Sequence, residues 1–140
     1  MSDTDGDTDP DGDTDGGAAP EPVIRRDGEI EYEVVGAADG MGKGVLIGEE
    51  HGAPNFALRK FLIEPDGTVP RHTNEVEHVQ YVLAGDYVVG IGDEEHRVGP
   101  GDSLLIPAGV EHWYENDGTT RAAFLCTVPH GDDAIELVEE

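Results

Sequence analysis

The sequence predicts an all-β fold, an antiparallel sandwich or barrel in a single domain. Three observations predict it. From Val23 onward, short apolar runs rich in Val, Ile, Tyr and Phe recur at close spacing. Gly, Pro or Asp-Gly pairs separate them. No stretch keeps a helical period for three turns, so the period-two reading has no competitor of adequate length.

The runs are justified in chain order. "EIEYEVV" and "GVLIGEE" come first, alternating or continuously apolar over strand-like lengths. Between them, the glycines of "GMGKGVLIG" are spaced for a loose turn. They precede no helix, so they carry no phosphate-binding role. "NFALRKFLIEP" follows, then "HVQYVLAG" and "DYVVGIG", the last two punctuated by Gly85 and Asp86. "HRVGPG", "DSLLIPAG", "EHWYEN" and "RAAFLCTVP" complete the set. Many short strands with turn residues between them close into a sandwich or barrel around one core. Residues 23–140 are a comfortable size for such a domain.

The first 22 residues differ. Asp occupies every odd position from Asp3 to Asp15, and apart from Met1, Ala18 and Ala19 nothing apolar is present to anchor a fold. Residues 1–22 are expected to be a disordered acidic tail. "DGDTDG", Asp11 to Gly16, matches the opening of an EF-hand calcium loop, but that loop needs a bidentate Glu at its twelfth position. Pro22 stands there, with Glu21 one residue early and no flanking helices. A solvated tail is the better reading.

The 140 residues carry 32 Asp plus Glu against 8 Lys plus Arg, a formal net charge of −24. That balance argues against nucleic acid and anionic membrane surfaces, both of which are bound through clustered Lys and Arg. An acidic excess along the whole chain fits a halophilic protein, because mobile cations screen its self-repulsion. The N-terminus has neither a basic nor an apolar signal region, and no apolar run approaches the roughly 20 residues of a spanning helix. The expectation is a cytoplasmic protein. Cys126 is the one cysteine, read as a small buried hydrophobe.

Histidines carry the chemical signal. His72 and Asn74 lie two apart and point the same way in a strand. After the short "EVE" turn, His78 opens the next strand, with Gln80 and Val82 on its face. Later, "EHWYEN" supplies His112, with Tyr114 and Asn116 beside it. If these strands line one barrel, three imidazoles from two hairpins converge. Such a set suits Zn, Fe, Ni or Cu, and Mn less well. Taken singly, each is also readable as a hydrogen-bonded residue near a strand end, and spacing alone leaves both readings open. His51, His96 and His130 read as surface residues. Glu75 and Glu77 read as solvated charge in the turn.

Two stretches resemble the cupin superfamily, in particular its small single-domain members. "GTVPRHTNEVEHVQYVLAG" is similar to the first cupin motif, with His72 in the place of its first histidine. It departs in three ways: Gly67 is one residue too close, Asn74 replaces the second histidine and His78 replaces the glutamate. "GDSLLIPAGVEHWYEN" matches the second motif throughout, at Gly101, Pro107, Gly109, His112 and Asn116. "APNF" and the "VEHV" stretch resemble a bacterial subgroup in which the histidine after the glutamate joins the metal shell.

The resemblance implies a two-sheet jelly-roll barrel, usually a homodimer, with one divalent ion (Mn, Fe, Zn or Ni) in its mouth. His72, His78 and His112 are the implied ligands. Asn74 is either a weak fourth ligand or a partner for bound water, and an amide oxygen replaces imidazole poorly on Zn or Fe.

Three neutral histidines leave a divalent ion about +2, which favours a small anionic chelating substrate such as a carboxylate, keto acid or enediol. An inward Tyr114 or a metal-bound hydroxide is the candidate base, and Arg59, if it faces inward, binds a substrate carboxylate. The reaction class stays open between dioxygenase, decarboxylase and isomerase. The alternative is a non-catalytic protein that binds a metal or small ligand through a degenerate shell.

Overall fold

The computed structural model describes residues 21–131 and 136–138. The expectations for residues 1–20, including nearly all of the calcium-loop stretch, lie outside the described residues. Among the described residues ten strands follow one another: β1 (Tyr32–Val34), β2 (Asp39–Ile47), β3 (Phe56–Thr73), β4 (His78–Ala84), β5 (Tyr87–Ile91), β6 (Glu94–Val98), β7 (Ser103–Ile106), β8 (His112–Glu115), β9 (Ala122–Pro129) and β10 (Glu136–Leu137). All pairings are antiparallel. Two single 3-10 turns, Asp27–Glu29 and Glu49–His51, are the only helical turns among them. No described helix is long and apolar enough to cross a membrane.

The strand β3 organises the barrel. Its first half pairs with β2 and β9, and its second half with β8. The change of partner falls at Pro65-Asp66-Gly67, where Asp66 takes a positive φ of 66°. A left-handed residue beside a proline bends the chain, and pairing is handed from one sheet to the other. One sheet is β2-β3-β9-β4-β7, and the other runs β3-β8-β5-β6. Their inner faces close on Ile63, Val82, Tyr87, Val89, Phe124 and Cys126, all essentially buried. Period-two alternation is clear on β4, where His78, Gln80 and Val82 are buried and Val79, Tyr81 and Leu83 are exposed.

Three local expectations are corrected. The "GMGKG" glycines belong to β2 and do not form a loose turn. A side chain at Gly44 would collide with Ile30 and the Tyr32 ring, so the absence of a Cβ lets β1 lie flat on β2. His72 and His78 do not share a hairpin, because β3 and β4 are not paired with each other. The second half of β3 bonds to β8 and β10, whereas β4 bonds to β7 and β9. Residues 74–77 therefore cross between the sheets. His130, expected at the surface, is half-buried and donates from Nε2 to the Ala53 carbonyl at 2.7 Å.

Asn116 secures the corner. Fully buried, it donates to the carbonyls of Ile63 and Thr120, both at 2.9 Å, and accepts from the Gly118 N–H at 3.0 Å. Its backbone bonds Asp66 and Gly67. At the far edge, Gly90 faces Trp113 across β5 and β8, and any Cβ there would run into the indole.

On the surface, Arg97 grips Asp117 through two hydrogen bonds, at 2.6 and 3.2 Å, and holds its carboxyl below the usual carboxylate range. A folded value below the unfolded one contributes stability above the unfolded pKa and loses it as pH falls through the folded one. The Arg97→Ala variant is therefore expected to return Asp117 toward an ordinary value, and any stability difference from wild type should vanish at acid pH. An NMR titration of Asp117 that is identical in the two proteins would contradict this. Because the pair is exposed, the effect is small and weakens with salt.

Candidate functional site

The corner in β3 points its second half at β8, and that pairing builds the site. His72 and His112 are register partners across β3 and β8. Their ring centres stand 4.1 Å apart, and both side chains are buried. His78 enters from β4 in the opposite sheet, with its ring centre 6.0 Å from that of His112. All three line one cavity of about 90 Å³ between the sheets. Asn74, Gln80, Tyr114 and Arg59 line it too. The sequence-based candidates are thus brought together, every one of them buried.

Each of the paired rings is held in one orientation. His72 Nδ1 lies 2.8 Å from the Pro70 carbonyl, and His112 Nδ1 lies 2.9 Å from the Val110 carbonyl. A carbonyl only accepts, so Nδ1 carries the proton and the lone pair is on Nε2. Backbone carbonyls fix metal-binding histidines in this way, choosing the tautomer and stiffening the ring. The loop before β8 is itself anchored. Gly109, at φ 80°, completes a turn after Pro107, and its N–H donates to the Asn74 carbonyl at 2.8 Å. Arg71 bridges Glu111 and the Gly92 carbonyl, both at 3.2 Å, tying the same loop to β3 and β5.

Whether this set suits a metal is a question of geometry. Two imidazoles sharing an ion at about 2.1 Å hold their ring centres about 4.5–5.5 Å apart. The observed 4.1 and 6.0 Å fall on either side of that range. Among the described residues no three His, Cys, Asp or Glu side chains are gathered into a metal-holding group. The donor chemistry and tautomers fit a borderline divalent ion, with the rings close but not drawn together.

The rest of the wall is aromatic and cationic. Phe124 stacks on Phe61 at 5.2 Å and on Tyr114 at 5.4 Å. Arg59 lies over the Phe61 ring at 5.5 Å, so in the Arg59-Lys60 pair it is the arginine that faces inward. Lys43 reaches the same cavity from β2. Burial pushes the Tyr114 phenol well above its ordinary range, and the hydrogen bond from Gln80 opposes this only in part. Tyr114 is therefore a neutral phenol that donates a hydrogen bond more readily than it takes a proton. The sequence had given no role to Gln80 or Lys43. Gln80 was visible as a polar residue on the buried face of β4, whereas Lys43 was hidden by the turn reading of β2.

The comparisons agree with this architecture. The cupin domain model, Cupin_2, matches residues 59–128. The polyketide cyclase RemF from Streptomyces resistomycificus superposes with a TM-score of 0.79 at 27% identity, covering 86% of this chain and 87% of that one. A cupin 2 domain-containing protein from Halorhodospira halophila gives 0.67 at 27%, with 71% of each chain covered. A predicted oxalate decarboxylase from Thermotoga maritima gives 0.66 at 21%, covering 83% of this chain and 100% of that one, a likeness of fold alone. No curated protein matches the chain. With half its length matched by the family model, the chain belongs to the cupin-2 family.

Proposed function

We propose that the protein is a metal-binding cupin that acts on a small anionic substrate carrying a carboxylate, keto or enediol group. The observation that carries this reading is the facing pair His72 and His112, each with Nδ1 tied to a carbonyl, which places the lone pair on Nε2, the atom that would coordinate. His78 is the third ligand, and Asn74 contacts a bound water or acts as a weak fourth. The ion is one of Mn, Fe, Zn or Ni. When bound, it supplies Lewis acidity at about +2, since the three rings are neutral.

The chain's own residues do the rest. Arg59 and Lys43, which line the same cavity as the histidines, attract and orient the substrate carboxylate. Phe61 and Phe124 exclude water on one side, which strengthens those charged contacts. Tyr114 donates a hydrogen bond to a developing oxyanion. RemF is a polyketide cyclase, which adds enolisable keto acids to the substrates worth testing.

The test pairs elemental analysis of untagged protein with a panel of keto acids, β-diketones and hydroxy acids. About one ion per chain together with turnover of a panel member is the expected result. Protein purified from metal-supplemented cells without any bound ion would end the metal reading. Asn74 and the spread of the rings favour a second reading, binding without chemistry; a tightly held ion with no turnover across the panel would select it.

We also infer that the active form is a homodimer. Val79, Tyr81, Leu83, Leu105 and Leu125 lie on the outer face of β4, β7 and β9, and four of them are at least 39% exposed. In a chain of net charge −24, this face, apolar at the five named residues and with Lys60 beside Leu125, is where two copies approach with least repulsion. Sedimentation is expected to give a dimer for wild type and a monomer for Val79→Asp/Tyr81→Asp. A wild type that sediments as a monomer at micromolar concentration would refute it.

A further inference from the structure

We propose that Gln80 and Tyr114 form a receptor for a single substrate hydroxyl, so that the cavity takes hydroxy acids in preference to their deoxy or O-methyl counterparts. The two side chains reach the same wall from opposite sheets, Gln80 from β4 and Tyr114 from β8. Gln80 is 1% exposed and Tyr114 is 4% exposed. The Gln80 Nε2 donates to the Tyr114 hydroxyl at 2.8 Å.

That contact uses only half of what the pair offers. Gln80 Oε1 is buried with no hydrogen-bond partner. Among the described residues, the one hydrogen bond of the Tyr114 hydroxyl is the bond it accepts from Gln80. One acceptor and one donor are therefore left side by side on the cavity wall, at a depth where unmet polar groups are costly.

A group that completes this arrangement must accept from the phenol and donate to the amide oxygen. A hydroxyl does both, closing a three-membered ring of hydrogen bonds in which each bond polarises the next. The same holds if the amide is turned over. Tyr114 then donates to Oε1, Nε2 donates to the ligand oxygen, and the ligand hydroxyl donates back to the phenol oxygen. In either sense an ether cannot close the ring, because it has no hydrogen to give. A methylene can neither accept nor donate. Water has the same double character but lacks the carboxylate that Arg59 and Lys43 would anchor, so a hydroxy acid displaces it with the advantage of a second contact.

The inference rests on the small-anion reading of this cavity but not on any particular reaction there. The probes are 2-hydroxypropanoate, propanoate and 2-methoxypropanoate, titrated by NMR into the full-length protein as purified and into Gln80→Leu, Tyr114→Phe and the double variant. The double variant replaces both polar partners with apolar groups of similar size, which buried sites tolerate better than removal of one partner. Circular dichroism confirms its fold.

Wild type is expected to favour the hydroxy acid over both analogues by about tenfold or more. In the double variant the preference should fall to within about twofold, while propanoate affinity stays close to wild type. A preference that persists in the folded double variant overturns the inference, since it would come from chelation or fit. Equal binding of all three acids by wild type overturns this inference and leaves the small-anion reading standing. Binding of none of them overturns both.

Discussion

Replacing Phe124 with alanine is expected to cost about 3–5 kcal/mol of stability. Phe124 sits in the middle of β9, paired on one side with Phe61 of β3 and on the other with Val82 of β4. It is 1% exposed and stacks with Phe61, Tyr114 and Tyr87, at 5.2, 5.4 and 6.0 Å. These rings come from both sheets, so Phe124 is a principal contact holding the sandwich closed. Truncation removes the transfer energy of the ring and leaves a void that adjoins the existing cavity. Backbone pairing on both sides of β9 limits collapse into that void.

For a domain of this size the midpoint of thermal unfolding should fall by about 10–20 °C. Phe124→Leu keeps most of the volume and should lose under about 2 kcal/mol. If Phe124→Ala unfolds within about 1 kcal/mol of wild type in denaturant titrations, Phe124 is not the contact between sheets that its stacking implies.

The strand that carries that ring was readable in advance. "RAAFLCTVP" is an apolar run of strand length, and on β9 Phe124, Cys126 and Val128 turn inward while Leu125 and Thr127 lie on the half-exposed outer face. The solvent-facing strand β4 alternates, so its inner set of His78, Gln80 and Val82 followed from period two alone. "GDSLLIPAGVEHWYEN" was legible through its resemblance to the second cupin motif, and the structure supplies the physical reason for that pattern. Its Pro107 and Gly109 make a turn, and Asn116 makes an anchor that few other residue types could supply.

What the sequence concealed was long-range. Nothing local in "EPDGTVP" distinguishes the end of one strand and the start of another from a single strand that changes sheets. The handover at Asp66 is what makes His72 the register partner of His112 and sends His78 to the other sheet. Likewise, the glycines of β2 read as a turn because a strand short of side chains has no pattern to show. The large residues that cover Gly44, namely Ile30 and Tyr32, lie more than ten positions away. Lys43 was lost with that strand, whereas Arg59, its partner on the cavity wall, lies on β3 and was read as a candidate.

On the proposed metal reading, substituting His112 with alanine should lower affinity for a divalent ion by at least about a hundredfold and leave the fold intact. A change limited to the residues around a ligand already costs 10- to 100-fold, and loss of the ligand itself removes a donor whose tautomer is set by the Val110 carbonyl. His112 is also the ring that stands near both others, 4.1 Å from His72 and 6.0 Å from His78. The remaining two approach from different sheets, His72 from β3 and His78 from β4.

The converse substitution sharpens the test. Asn74 lines the same cavity, two residues from His72 on β3, and is 4% exposed. Imidazole there is a better donor to a borderline ion than an amide oxygen, so Asn74→His should tighten binding about tenfold or more. Competition with a chelator of known affinity, followed by elemental analysis, reads both variants on one scale. If His112→Ala retains a full ion per chain, and Asn74→His changes nothing, the ion is held elsewhere. The three histidines would then be buried polar residues whose job is to hold the two sheets in register.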